Sequence, residues 1–335
     1  MKFSLRSLLL TVAWFIAAAL FFTSLPLWGE SSISLLAPLE HLRIGYLFVA
    51  AVLLTLCLVV RSLSLGVFVG IITALNLWFV VPTLSGGSRS AGGPVHFSLL
   101  HANIWYDNAT PSQTADMINR EAPDIAVLLE TFEYFQGGWL PSVKGNWPYR
   151  ALCGDSACAN MILSRWPITL IGERSPWRDG VSFPAMLAVR VHHPQGDFTL
   201  VAAHLKQPFA PVLQMEEAKW LAQYLKNLPQ PIVLTGDFNS APWSPLIREL
   251  ERDAGISRIA HTGPTWPSGP LTYVGIPIDH IFGGPGVAAS SVRRLAPFGS
   301  DHLALKAEIE LSPAPAGPAP LAGEGGDTPR LVPTP

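Results

Sequence analysis

The sequence predicts an α+β fold, a sandwich of β-sheets covered by helices, preceded by three transmembrane helices. Three observations predict it. Three apolar runs without a single Asp, Glu, Lys or Arg, at residues 8–27, 44–60 and 63–81, fill the first 82 of the 335 residues. From residue 95 to residue 310 short apolar runs bounded by turn residues recur, the pattern of buried strands. Two helix-length amphipathic segments separate those runs, as in strands packed in sheets with helices over them.

Each of the first three runs is close to the about 20 residues that span a bilayer. A signal peptide explains only the first, whose apolar stretch is long for one and lacks a clear small-x-small cleavage site. Core helices of a soluble domain carry a polar face, and these carry almost none. Residues 1–82 therefore read as a membrane anchor. Lys2 and Arg6 precede the first run and Arg61 separates the second from the third, while the first loop holds Glu30, Glu40 and Arg43. Positive charge at the N-terminus and in the second loop keeps both inside, and three crossings put everything later outside. The expected location is the cell (inner) membrane, multi-pass, with the domain on the periplasmic or extracellular side. Residues 83–94, rich in Ser, Gly and Arg, read as a flexible linker. Residues 311–335, repeated Pro, Ala and Gly, read as a disordered tail.

Within 95–310, residues 95–105 read as a strand and 110–121 as a helix, with Thr110 as its cap and Pro111 at its first position. Residues 124–130 and 160–164 read as strands, and 186–191 with 198–204 as a hairpin around 193–197. A second helix spans 211–228, with Leu213, Ala218, Leu221 and Leu225 on one side. Strands at 232–235, 278–282 and 303–309 complete the domain. No internal repeat interrupts it.

The polar residues that close these strands carry the chemistry. Gly236-Asp237-Phe238-Asn239 follows an apolar run, so Asp237 and Asn239 end a strand, and period-2 alternation points both to one side. The carboxylate can position or deprotonate a water while the amide binds a phosphoryl oxygen; alone, the tetrapeptide is equally a turn. Glu130 ends five apolar residues, and a hard divalent cation needs only one or two such carboxylates besides water. His101-Ala102-Asn103-Ile104-Trp105 ends the first strand and His204 ends the hairpin. Asp279 lies between apolar residues in Pro277-Ile278-Asp279-His280-Ile281-Phe282, and Ser300-Asp301-His302-Leu303 opens the last strand.

This ordered set resembles the endonuclease/exonuclease/phosphatase superfamily over roughly residues 95–310. That superfamily includes deoxyribonuclease I, exonuclease III type repair enzymes, neutral sphingomyelinases and inositol polyphosphate 5-phosphatases. The resemblance implies two packed mixed sheets flanked by helices, a four-layer sandwich, with the site where strand ends meet at one edge. It implies Mg²⁺, with Mn²⁺ as the alternative, held by Asn103 and Glu130 with Asp301 beside them. It implies that His302 contacts the scissile phosphate and is oriented by Asp279, and that Asn239 binds a phosphoryl oxygen. Asp237 is favoured as the residue that positions the water, with His302 the alternative base. His204 resembles the second histidine of the deoxyribonuclease I and sphingomyelinase branches, placed to donate to a phosphate oxygen or to protonate the leaving oxygen. Asn160 and Arg165 match a common segment, Arg165 in a structural role, and His280 is read as packing. The apurinic endonucleases carry an Asp two residues after the first Asn; Trp105 stands there, which speaks against a repair enzyme.

Composition narrows the substrate. Segment 95–310 carries 16 Lys and Arg against 20 Asp and Glu, a net charge near −4. Duplex affinity comes largely from Lys and Arg on phosphates. A nuclease acting on external nucleic acid is one reading. A phospholipid or sphingomyelin phosphodiesterase is the other, favoured by the tether and the acidic charge. A non-catalytic binding module on the same fold is a third, although every motif position is filled. The expected partners are the phosphoester substrate and the membrane, with no obligate protein partner. Trp105, Trp177, Trp243 and Trp266 near the site can stack on bases, enter a lipid interface or serve as core. Cys57 lies in an apolar run. Cys153 and Cys158 bracket a short polar turn and can form a disulfide in an oxidising compartment; free thiols or half of a metal site are the alternatives. The orientation is testable: protease added to intact spheroplasts digests the domain, and protection of the domain until lysis would reverse the assignment.

Overall fold

The structure, a computed structural model, describes residues 5–25, 36–84, 92–132, 139–154, 157–178, 181–259 and 261–312. The middle of the expected linker and nearly all of the expected tail lie outside the described residues. Three helices are long and apolar enough to cross a membrane: α1 (Leu5–Ser24), α2 (Arg43–Val60), entered through a 3₁₀ turn (Ala37–Leu42), and α3 (Leu63–Leu84). They pack through small and branched residues, among them Ala13, Ala17, Ala50, Leu53, Val69 and Ile72. Large apolar side chains such as Phe15, Phe48 and Trp78 face outward, which in water would be unfavourable but in lipid is not. At one end Arg6 donates to the Val60 carbonyl. At the other, Arg43 is buried and donates to Glu40, the Ser24 carbonyl and Asn76, and Asn76 donates to Ser24 Oγ. That second end carries the rest of the protein.

The remaining chain forms β1 (Val95–Asn103), α4 (Pro111–Glu121), β2 (Ile125–Leu129), β3 (Tyr149–Leu152), β4 (Met161–Ser164), β5 (Ile168–Arg174), β6 (Trp177–Arg178), β7 (Val181–Ser182), β8 (Ala185–Val191) and β9 (Phe198–His204). It continues with α5 (Pro211–Lys226), β10 (Ile232–Asp237), α6 (Pro245–Ala254), β11 (Ser257–Arg258), β12 (Asp279–Gly283), β13 (Val287–Arg294) and β14 (Leu305–Leu311). One sheet has the order β13-β14-β1-β2-β4-β3, the other β11-β12-β10-β9-β8-β5. Both are mixed: β1–β2 and β9–β10 are parallel, the other pairs antiparallel. Phe97, Leu99, Val127, Leu200, Val233 and Ile281 fill the space between the sheets. α4 covers the outer face of the first sheet, and α5 with α6 that of the second. The four-layer sandwich expected from the motifs is the observed fold.

Several elements differ from the sequence reading. Thr110 makes no side-chain cap to α4; its hydroxyl turns to Asn108, whose side chain organises the turn through Thr110 N and the Ile104 carbonyl. The buried face of α5 is Gln214, Glu217, Ala218, Leu221, Ala222 and Leu225, and Leu213 lies to its side. α6, started by Pro245 and capped by Ser244 Oγ on Ile247 N, was not anticipated, nor were β3, β5, β11 and β13. Cys153 and Cys158 form the expected disulfide, with Cα atoms 5.8 Å apart. Leu200 is fully buried between the sheets, so Leu200→Ala should lower stability by about 2–5 kcal/mol, read as an earlier urea midpoint by tryptophan fluorescence of the detergent-solubilised chain.

Candidate active site

Strand alternation assembles the site. Along β1, Val95, Phe97 and Leu99 face the inter-sheet core, so His101 and Asn103 face the same way one and two steps later. The rule likewise turns Asp237 inward after Val233, Asp279 inward before Ile281, and His204 inward after Leu200 and Ala202. Register brings the ends level: Asp237 pairs with His204 on one side and Asp279 on the other. Gly236 allows this approach, since a Cβ there would lie 1.8 Å from the Ala203 carbonyl oxygen. The apolar core thus gives way, at one edge of the sandwich, to a floor of carboxylates, amides and imidazoles.

Asp279 is the centre of that floor. Its Oδ1 lies 2.9 Å from His101 Nε2 and its Oδ2 2.9 Å from His302 Nδ1, all three groups being buried. Burial alone would raise the Asp279 carboxyl and depress the His302 imidazolium. The pair reverses both: His302 and His101 hold Asp279 well below the usual carboxylate range, and Asp279 with Asp237 lifts His302 to about 10. Asp237 moves up instead, because burial and the Asp279 charge outweigh the pull of the imidazoles. His302 Nε2 and His204 Nε2 each stand 3.6 Å from Asp237 Oδ2.

Asn103 Nδ2 bridges Glu130 Oε1 at 2.8 Å and Asp237 Oδ2 at 3.1 Å. Its own Oδ1 accepts from Trp105 N. Glu130 lies just past β2 with φ 59°, a left-handed turn that swings the carboxylate over the strand end, where Tyr106 N donates to Oε2. Asn239 is similarly placed by a turn, with φ 49° and its backbone N–H on Asp237 Oδ1; it reaches the cleft, although not by the strand alternation expected of it. Its amide is 3.4 Å from His204 Nε2. Asp301 closes the far side: Oδ2 accepts from Trp266 Nε1 at 3.0 Å, while Oδ1 is buried without a hydrogen-bond partner.

All eight residues expected at the site, Asn103, Glu130, His204, Asp237, Asn239, Asp279, Asp301 and His302, gather here. Asn160 and Arg165 do not: the first donates to the Ala185 carbonyl and the second pairs with Asp124. His280 is buried on the outer face against the Ser240 carbonyl. Trp105 and Trp266 line the cleft. Trp243 does not; it is buried beneath the domain with its indole N–H on the Glu40 carbonyl, and the Trp177 side chain lies outside the described residues. Sequence reasoning passed over His101, Gln214 and Glu217. Gln214 ties the Phe238 and Asn239 carbonyls to that of Lys206. Glu217 accepts from Ser182 and Lys206 N on the cleft wall, and burial pushes its carboxyl up. His101 was signalled by its place two residues before Asn103; the other two were signalled by lying on the apolar face of a helix.

A hard cation needs oxygen donors. Asp237, Asp279 and His302 present ligand atoms within 4.8 Å of one another, but both oxygens of Asp279 are taken by imidazoles and His302 is held as its cation. Two further carboxylates, Glu130 and Asp301, line the same cleft, and Asp301 Oδ1 accepts no hydrogen bond.

Two mixed sheets between helices, with acids, amides and imidazoles at the converging strand ends, define the class of phosphoester-cleaving sandwiches. Residues 100–302 match the model of the endonuclease/exonuclease/phosphatase family, and the chain belongs to that family. Solved structures agree on the fold. The endonuclease/exonuclease/phosphatase from Bacteroides vulgatus matches with a TM-score of 0.53 at 16% identity, covering 65% of this chain and 100% of its own. One from Beutenbergia cavernae matches with a TM-score of 0.51 at 19% identity, covering 68% and 74%. A beta toxin from Staphylococcus aureus with bound magnesium ions matches with a TM-score of 0.50 at 15% identity, covering 65% and 100%. No curated protein sequence matches the chain.

The Asp279–His302 pair makes stability depend on pH. The ordinary values are 3.8 and 6.5, and folding lowers the first and raises the second to about 10. A lowered carboxyl stabilises above its unfolded value, and a raised imidazole stabilises below its own. The contribution is therefore full between roughly pH 4 and 6.5 and declines as pH rises toward 10. Melting temperatures measured in chelator should fall across that upper limb, and His302→Gln should flatten it.

Proposed function

We propose that the protein is a membrane-anchored, divalent-metal-dependent phosphoester hydrolase. The observation that carries this reading is the meeting of Glu130, Asp237 and Asp301 with His204, Asn239 and His302 on the floor of one cleft. Glu130 and Asp301 would hold Mg²⁺ or Mn²⁺, with the Asn103 amide donating to Glu130 and to Asp237 and so fixing one against the other. Bound there, the ion supplies neutralisation of charge that builds on the phosphoryl oxygens.

The chain's own groups account for the proton movements. Asp237, its carboxyl raised by burial, orients a water and accepts its proton, a task suited to a base nearer neutrality. The water oxygen bonds to phosphorus as the opposite P–O ester bond breaks. His302, kept as an imidazolium by Asp279, donates to one phosphoryl oxygen, and the Asn239 amide donates to another. These donors are fixed before the charge develops, so little reorganisation is needed. His204, at the open side of the floor, delivers a proton to the leaving oxygen. Asp279 and His101 position His302 and touch no substrate.

Anchoring in a membrane is supported by the lipid-compatible surface of α1–α3. Arg6 and Arg61 lie at the end of the bundle remote from the domain, and the Cys153–Cys158 disulfide suits an oxidising compartment; both favour a site outside the cytoplasm. Hydrolysis of bis-p-nitrophenyl phosphate tests the chemistry. EDTA should abolish turnover and Mg²⁺ or Mn²⁺ restore it. Glu130→Ala should raise the metal concentration needed, and His302→Ala should lower kcat by at least about two orders of magnitude. Undiminished turnover in chelator would overturn the reading.

A further inference from the structure

We infer that the anchor forms one wall of the active-site cleft and that the substrate is a phosphoester lipid taken from the same bilayer. This rests on the hydrolase reading above and names its substrate class.

The cleft, about 690 Å³, is lined by Pro38, His41 and Leu42 as well as by Glu130, Asp237 and His302. Pro38, His41 and Leu42 belong to the 3₁₀ turn that enters α2, and Leu42 immediately precedes the first residue of that helix. The wall of the site and the membrane span are thus adjacent in the chain. The domain is seated on the helix ends by buried contacts. Trp243 Nε1 donates to the Glu40 carbonyl at 2.7 Å and Ala241 N to His41 Nδ1 at 3.0 Å. Arg258 donates to the Thr83 carbonyl at 2.6 Å, and Val80 of α3 packs against Ala241 and Trp243. α2 has 18 residues, about 27 Å at 1.5 Å per residue and close to the thickness of a bilayer's hydrocarbon core, so a cleft beginning at the last residue before α2 opens at headgroup depth.

The rim matches that depth. The loop between the paired Trp266 and Ile276 closes the cleft on one side. Its 3₁₀ turn rests on α2, the Cβ position of Gly45 lying 3.8 Å from the Val274 carbonyl oxygen. On that loop Leu271 and Tyr273 are 65% and 82% exposed, and across the cleft Phe209 is 63% exposed. Scattered exposed apolar residues are ordinary. Here Phe209 lines the cleft, and Leu271 and Tyr273 stand on the loop whose ends, Trp266 and Ile276, line it beside the start of α2, where aromatic side chains favour the bilayer interface. The floor is polar and the walls are apolar, which fits a phosphate ester joined to a hydrocarbon. A nucleic-acid duplex fits poorly: the anchor closes one side, and the domain's net charge near −4 offers no phosphate track.

The test uses the full chain with Mg²⁺ in vesicles of phosphatidylethanolamine, phosphatidylglycerol, cardiolipin and sphingomyelin, read by mass spectrometry of lipid products. Bis-p-nitrophenyl phosphate and a short oligonucleotide are assayed in parallel. Turnover of at least one lipid well above that of the oligonucleotide is expected. Leu42→Glu and Phe209→Glu should each lower the ratio of lipid to soluble-diester turnover at least about tenfold, the scale of one lost apolar side-chain contact. Phe209 is exposed, so its replacement leaves packing intact. Hydrolysis of the soluble diester without any lipid product, or an unchanged ratio in both variants, overturns the inference and leaves the hydrolase reading standing. No hydrolysis of any probe overturns the hydrolase reading and the inference with it.

Discussion

Asp279 lies buried with an imidazole on each carboxylate oxygen, and the rest of the site depends on that anion being satisfied. A buried carboxylate is strongly unfavourable unless paired and hydrogen-bonded. Its partners come from different places. His101 is on β1 in one sheet, Asp279 on β12 in the other, and His302 on the approach to β14 in the first. One carboxylate therefore ties the two sheets together at the edge where their apolar core ends. Asp237 stands beside it by register, and two adjacent buried carboxylates cannot both ionise cheaply. The imidazoles settle the asymmetry: Asp279 keeps the charge, and Asp237 is left with the higher proton affinity.

Much of this was legible in the sequence because strand alternation is a strict rule. Asn103, His204, Asp237 and Asp279 each continue the inward-facing positions of an apolar run, so their convergence follows once two sheets pack face to face. His101 obeys the same rule, but it lies inside the strand rather than at its end, where a histidine reads equally as core. Glu130 and Asn239 were found by motif, but their placement depends on left-handed backbone at φ 59° and 49°, which no apolar periodicity encodes. Gln214 and Glu217 lie on the buried face of α5, where a reading of apolar spacing looks only for carbon.

The elements that went unseen are those without an uninterrupted apolar run. β13 carries Ser290, Ser291, Arg293 and Arg294, and β5 is half-buried along most of its length; both are edge strands, which need only one apolar face. α6 is short, and its Pro245 start and Ser244 cap are visible only when the preceding loop is known to end there. Trp243 illustrates a different blind spot. A tryptophan near a strand-end motif is equally suited to a cleft and to a domain seat, and only the position of the three apolar helices decides between them.

That seat reaches the chemistry through very few bonds. Gln214 holds the Phe238 and Asn239 carbonyls from the side of α5, and Ala241, two residues after Asn239, donates its N–H to His41 in the turn that enters α2. The segment from Asp237 to Ala241 is thus braced by α5 at one end and by the turn that enters α2 at the other. His41 in turn sits in the turn whose Glu40 pairs with Arg43, and Arg43 is bound to α1 and α3 through Ser24 and Asn76. Buried polar networks of this kind are costly when incomplete and rigid when complete. Separating the helix ends would unpair Arg43 and release His41. That would free the peptide carrying Asn239 on the side of the helices. The geometry of the Asn239 amide and the packing of the three helices are therefore one mechanical problem rather than two.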